Sequence, residues 1–324
     1  MDEASALMTR FIIGELQSRD PALVPDGINT PDGIRSPRVG GDIKRQILEH
    51  AMAHSGPEII VEIGQGIKNF ADAPIIHVLK NSRSPHVLAE KWARLERYGH
   101  SKNRCRIIED ASDDFRFQRH ATKGPVPTVA ENLVICGFMI ALLELGGCKG
   151  LRCRLGRAGE PNLEVYSGGK VLAITKTMLN QTDEWSIQWQ KFDNSKFESD
   201  QDGLLDFPAL LKDELNAVPP VVRNANQLIC EDLGRHWLVG DLASELGASA
   251  RSLQRRFKRA GLSFSTLVRA ARIQQAGKLL TGSELSATEI GYCCGFTDSA
   301  HFSRDFSAGT GMSPSAYRQY AGPS

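Results

Sequence analysis

A chain of 324 residues is longer than one ordinary domain, so two domains with separate cores are expected. Hydrophobic residues make up 41%, charged residues 24% and aromatic residues 7%, which excludes a disordered chain and a disulfide scaffold. The formal net charge is only +1, so any nucleic-acid partner must be met by charge gathered locally.

The amino-terminal MDEASALMTR lacks the basic start and apolar centre of a signal peptide, and no apolar run approaches the roughly 20 residues of a membrane span. A cytoplasmic protein without a membrane partner is the expectation. The seven cysteines, Cys105, Cys136, Cys148, Cys153, Cys230, Cys293 and Cys294, are odd in number and scattered, and are read as reduced thiols. In chain order, the periodicity predicts helices over Lys44 to Ile67 and Val87 to Tyr98, a strand over Phe115 to Arg119, and a helix over Pro127 to Leu145. Gly150 to Leu155 and Asn162 to Tyr166 read as two strands of a hairpin. The result is an α+β amino-terminal domain, residues 1–200, without the evenly spaced short strands of a jelly-roll. The polar KFESDQDG stretch at 196–203 and Pro219-Pro220 mark a linker over 201–220.

Within the amino-terminal part, Lys80 to Arg106 gathers Arg83, Arg94, Arg97, Arg104 and Arg106, with lysines, against Glu90 and Glu96. Such a run suits an anionic small-molecule effector; a solvated basic helix or a second contact with DNA is the competing reading. Cys148 and Cys153 flank a KGLR turn and are weighed as a redox pair against buried apolar thiols. His50 and His54 are four apart, without the glutamate or third ligand of a zinc site, and are expected as exposed helix histidines. The IGQGI fragment at 63–67 lacks the rest of a dinucleotide fingerprint, and there is no G-x-S-x-G, phosphate loop or Cys-His zinc spacing. No catalytic set, metal site or cofactor site is therefore expected.

From Leu246 to Ser283 there is no acidic residue, while Arg251, Arg255, Arg256, Lys258, Arg259, Arg269, Arg272 and Lys278 fall inside the stretch. In VGDLASELGASARSLQRRFKRAG, Leu242 and Leu246 are four apart, Gly247 interrupts, and Leu253 and Phe257 are again four apart. That pattern is two short helices around a glycine turn, with Ser249 placed to cap the second. Once Leu253 and Phe257 face a core, Arg251, Gln254, Arg255 and Lys258 form a separate polar stripe. Arginine grips guanine bidentately and glutamine grips adenine, so the stripe suits base reading in a major groove. About 48 to 50 residues later the pattern recurs, with Gly295, Phe302, Phe306 and Ser313 answering Gly247, Leu253, Phe257 and Ser263. There the stripe is Ser299, Ala300, Ser303 and Arg304, with His301 beside it and Thr297 or Asp298 as cap. A long apolar-striped helix over Phe264 to Leu280 joins the two, able to hold them about one DNA turn, roughly 34 Å, apart.

LASELGASARSLQRRFKRAG followed by IGYCCGFTDSAHFSRDFSAGTGMSPSAYR resembles the DNA-binding module of the AraC/XylS transcription regulators, over roughly Val222 to Tyr320. The resemblance implies an all-α domain at 221–324 with two helix-turn-helix units. It implies base contacts from Arg251, Gln254 and Arg255 and from Ser299, Ala300, His301, Ser303 and Arg304. Phosphate contacts are expected from Ser249, Lys258, Arg259 and Arg272. Ser307, Ala308 and Gly309 depart from the basic and aromatic residues usual in the family, and Cys293-Cys294 from the usual Ala-Leu type pair; the first departure implies weaker phosphate anchoring by the second unit. By the same resemblance, the amino-terminal domain senses an effector or forms a homodimer, and the protein works with RNA polymerase as an activator at promoter DNA. Its helix-rich composition is closer to another branch of the family than to the sugar-binding barrel. The competing functions are a ligand-binding or metabolic enzyme carrying a DNA-targeting module, and a nucleoid-type binder. The absence of a catalytic set argues against the first, and the differing stripes of the two units against the second.

Overall fold

The computed structural model describes residues 3–25, 28, 41–71, 73–98, 102–193 and 219–321, and divides into two compact units, Met1–Ser195 and Lys196–Ser324. The linker expected over 201–220 lies outside the described residues as far as 218, and so does the polar stretch at 196–203.

The amino-terminal unit is built around one buried helix. Helices α1 (Glu3–Arg19), α2 (Gly41–Ser55), α3 (Pro57–Gln65), α4 (Pro74–Lys80) and α5 (Pro85–Tyr98) precede strands β1 (Asn103–Asp110) and β2 (Asp114–Ala121), and then α6 (Val129–Gly146). A capping box starts α6: the Glu131 N–H donates to Thr128 Oγ1 at 3.3 Å and the Thr128 N–H to Glu131 Oε2 at 2.9 Å. Gly147, with φ of 116°, ends it. Leu133, Phe138, Met139, Leu142 and Leu143 are fully buried, so α6 is apolar on all sides because it is enclosed on all sides. Against expectation, it is long and apolar enough by composition to cross a membrane, yet 78% of it is buried inside this unit.

Strands β3 (Cys148–Lys149), β4 (Arg152–Leu155), β5 (Leu163–Ser167), β6 (Lys170–Val171), β7 (Glu184–Gln188) and β8 (Lys191–Phe192) follow. Six of the strands make one antiparallel sheet in the order β1-β2-β7-β4-β5-β6, open at both ends rather than closed into a barrel. The expected hairpin is present as β4 and β5, though Gly150 (φ of 66°) belongs to the turn before β4. The helix expected over Lys44 to Ile67 is two helices, because Gly56 (φ of 84°) and Pro57 break it. The glycines of IGQGI serve packing. A Cβ on Gly64 would lie 2.4 Å from the Val134 carbonyl oxygen, and one on Gly137 would lie 2.2 Å from that of Val61, so α3 and α6 cross backbone to backbone.

The carboxyl-terminal unit holds α7 (Pro220–Glu231), α8 (Val239–Glu245), α9 (Ala250–Arg259), α10 (Phe264–Gly282), α11 (Ala287–Cys293), α12 (Ser299–Thr310) and α13 (Pro314–Ala321). It has two cores. One gathers Val222, Ile229, Trp237, Leu242, Leu253 and Phe257; the other gathers Ile290, Cys294, Phe296, Phe302 and Phe306. Helix α10 serves both, giving Leu267, Ala270 and Ala271 to the first and Ile273, Ala276 and Leu280 to the second. A rigid helix with one half in each core ties the units together, and the Arg269–Asp305 ion pair at 3.5 Å adds a polar tie from α10 to α12.

Candidate nucleic-acid interface

Each unit is a short helix, a glycine turn and a second helix, and each turn is set by local chemistry. Gly247 (φ of 60°) and Gly295 (φ of 84°) sit in the left-handed region that L side chains avoid. Helix α9 is started by Ser249, whose hydroxyl accepts the Ser252 N–H at 3.2 Å. Helix α12 is started by Asp298, whose carboxylate accepts the His301 N–H at 2.7 Å, which settles the choice between Thr297 and Asp298. Ser263 and Ser313, the equivalent serines, both cap: Thr266 N–H donates to Ser263 Oγ at 3.1 Å and Ala316 N–H to Ser313 Oγ at 3.2 Å.

On α9, Leu253 and Phe257 are fully buried, which leaves Arg251, Gln254, Arg255, Arg256, Lys258 and Arg259 exposed. None of these basic side chains has an ion-pair partner among the described residues. Arg256, Lys258 and Arg259 lie in the last turn, where the helix dipole favours cations. Arg251 lies in the first turn, where the dipole disfavours one, so its charge is not there for the helix. Arg235, by contrast, is consumed internally: it pairs with Glu245, lies 3.8 Å from Asp241 and stacks 4.2 Å over the Trp237 ring. Arg272 is partly buried and donates to the Arg235 carbonyl at 3.4 Å, so of the four expected phosphate-contacting residues it is the one built into the domain.

Helix α12 presents a different face. Ala300, Ser303 and Arg304 are exposed, while Ser299 and His301 are half-buried rather than fully displayed. The His301 ring stands edge-on to Phe296 at 5.6 Å. Its Nδ1 accepts the Thr297 N–H at 3.4 Å, which leaves the proton on Nε2, 3.2 Å from Asp305. A histidine bonded at both nitrogens and packed against Phe296 has one orientation. Arg304 is the single exposed arginine on this helix and has no ion-pair partner among the described residues.

The five arginines expected to meet an anion are not one cluster. Arg97, Arg104 and Arg106 line a common cleft between α5 and β1, of about 410 Å³, whereas Arg83 and Arg94 are not among its walls. Sequence reading did not mark the other walls, including Trp92, Phe117, His86 and His120, because their meeting depends on α5 packing against the sheet. The pairing of Cys148 with Cys153 is replaced by another. Cys153 Sγ lies 3.5 Å from Cys136 on α6, and burial raises the Cys153 thiol well above its ordinary range, which makes it unreactive. The His50 and His54 rings lie 4.3 Å apart and tilted; His54 is exposed as expected, whereas His50 is half-buried and bonded to the Ala22 carbonyl at 3.0 Å.

Two capped helices around left-handed glycines, repeated on either side of a shared helix, define a tandem helix-turn-helix domain. Residues 242–320 match the family model described as "Helix-turn-helix domain". The relatives that match over this stretch are named as transcription activators. One is the transcriptional activator NphR of a Rhodococcus species, 33% identical over 81 residues, which are 25% of this chain and 24% of that protein. Another is the activator RhaR of Yersinia pseudotuberculosis, 37% identical over 90 residues, 28% of this chain and 31% of that one. The urease operon transcriptional activator of Escherichia coli is 33% identical over 91 residues. The chain thus spans between 24% and 31% of the length of the curated relatives it matches. Among solved structures, it is similar to the carboxyl-terminal domain of AraT from Geobacillus stearothermophilus, at 31% identity and a TM-score of 0.31, covering 34% of this chain and 92% of that one. It is also similar to the DNA-binding domain of AdpA in complex with a target DNA, at 28% identity and a TM-score of 0.29, covering 32% and 93%.

Proposed function

We propose that this protein is a cytoplasmic transcription regulator that binds promoter DNA through α9 and α12, with its amino-terminal unit modulating that binding. The observation that carries the reading is α9. A ten-residue helix exposes five cations and a glutamine with no acidic partner among the described residues, on a face opposite its buried Leu253 and Phe257. Uncompensated charge of that density meets phosphates by counterion release, and Arg251, Gln254 and Arg255 are the right types for base edges. In this reading, Ser249, Lys258 and Arg259 contact phosphate, and Arg272 contributes through the domain's own packing. Helix α12 reads with Ser299, Ala300, Ser303 and Arg304, and His301 fixes its angle while offering a ring edge. One arginine against five cations makes α9 the stronger anchor.

The helix-turn-helix domain supports promoter DNA as the partner; RNA polymerase as a partner, activation as the outcome, and a homodimer formed through the amino-terminal part are carried by the resemblance. Residues 1–200 act as the regulatory part, 201–220 as the linker and 221–324 as the DNA-binding part. Nuclease footprinting on fragments selected by the purified protein tests the proposal. Two protected major-groove segments about one turn apart on one face of the duplex are expected, with the stronger protection on the α9 side. Uniform protection along the fragment would contradict it.

A further inference from the structure

Between α5 and the edge strand β1 lies the cleft of about 410 Å³ already described, within the range of sites for small organic ligands. One part of its wall is apolar: Trp92 and Phe117 are 3% and 2% exposed, and Ala89, Ala93 and Ile107 continue it. The other part is charged, and its charges do not cancel locally. The Glu96 carboxylate is already held by the Cys105 N–H at 2.8 Å and by Arg119 at 3.0 Å, and Asp110 is held by His86 at 2.6 Å. Glu90 is then the one lining carboxylate without an ion pair among the described residues. The lining cations are Arg97 and Arg104, also without one, and Arg106, which donates to the neutral Gln118 side-chain carbonyl at 2.9 Å.

Arg104 carries the clearest sign. Its Nε is buried and has no hydrogen-bond partner among the described residues, a state it shares with Arg119 Nε and one that buried polar groups usually avoid. Directly across the strand pair sits His120, another wall of the cleft. Its imidazole is held below the ordinary histidine range, first by burial and then by the charges of Arg106, Arg119 and Arg104. The ring therefore reports a positive field, and a neutral imidazole adds hydrogen-bonding capacity without adding charge.

We infer that the cleft between α5 and β1 binds an organic carboxylate with a planar apolar body, the carboxylate meeting Arg97 and Arg104 and the body lying against Trp92 and Phe117. Arginine forks match a carboxylate in two parallel bonds, and the apolar wall of Trp92 and Phe117 suits an organic body that inorganic phosphate lacks. The inference rests on the reading of the amino-terminal unit as the modulating part and gives that part its ligand class.

The test is calorimetric titration of the full chain with benzoate, 1-naphthoate and indole-3-carboxylate, each beside its primary amide, and with inorganic phosphate. At least one carboxylate should bind one to one, with its amide about tenfold or more weaker, and Arg97→Ala/Arg104→Gln should weaken the carboxylate by about tenfold or more. The single exposed change Arg97→Ala, which leaves the core untouched, should give part of that loss at an unchanged Tm. The idea is overturned if none of the three carboxylates binds below roughly 10 mM, if amides or phosphate bind as well as carboxylates, or if the double variant binds like the parent. DNA affinity of the same samples, measured with and without the carboxylate, separates the two claims. Intact DNA binding with no carboxylate binding would sink this site alone, whereas carboxylate binding without DNA binding would sink the regulator reading.

Discussion

The two turn glycines are equivalent in sequence and backbone, yet alanine should be tolerated at one and not at the other. Both carry left-handed φ angles, which cost an L residue about 1 to 2 kcal/mol. At Gly247 an added Cβ meets no atom within 4 Å, so Gly247→Ala should cost about that much and no more. At Gly295 the same atom would lie 1.9 Å from the Leu233 carbonyl oxygen and 3.0 Å from Arg272 Nε. Leu233 is itself 8% exposed and part of the first core, so its carbonyl has no room to move away. Overpacking adds about 1 to 3 kcal/mol, which brings Gly295→Ala to roughly 2 to 5 kcal/mol. Urea unfolding followed by circular dichroism on the full chain measures both. Equal losses, within about 0.5 kcal/mol, would refute the close approach of the second turn to the Leu233 carbonyl.

Further outcomes follow from the same geometry. Arg255→Ala should lose roughly 1 to 3 kcal/mol of DNA affinity and relax base preference at one position, whereas Lys258→Ala should weaken all sequences evenly and lower the salt slope by about one; gel shifts across a salt series distinguish them. Phe257→Ala and Phe306→Ala each empty the centre of a fully buried core and should cost about 3 to 5 kcal/mol in denaturant melts. Burial raises the Glu96 carboxyl to about 7, above its unfolded value, so the folded state holds the extra proton. Its contribution should be full at low pH and lost as pH rises between about 4.5 and 7. Subtracting the stability-pH curve of Glu96→Gln from that of the parent should isolate this downward slope, and parallel curves would contradict it.

Much of the carboxyl-terminal domain was legible because its rules are local. The four-residue spacing of Leu253 and Phe257, the capping serines and the two glycines each act within one or two turns of chain, and each does in the structure what its type allows. Reading exposure from helical spacing alone failed at Ser299, which that spacing places in the exposed stripe and the fold half-buries, and it did not show that Phe296 packs against the His301 ring. The amino-terminal unit was less legible because its pairings are distant. Strand β7 joins β2 to β4 across an insertion of helix and hairpin, and nothing near Glu184–Gln188 announces those partners. The basic run at 80–106 divided for the same reason. Lys91, within it, is buried and donates to the Val78 and Asn81 carbonyls at 2.8 and 2.7 Å, a structural role that charge counting does not separate from the cleft-lining arginines.

The measurement that bears most directly on the account is a gel shift of the full chain with the DNA upstream of its own coding sequence, at physiological salt with unrelated competitor, beside Arg251→Ala/Arg255→Ala. Competitor-resistant binding by the parent, abolished in the double variant while its melting temperature holds, is the predicted result. Equal binding by the two proteins would contradict the assignment of α9 as the reading helix.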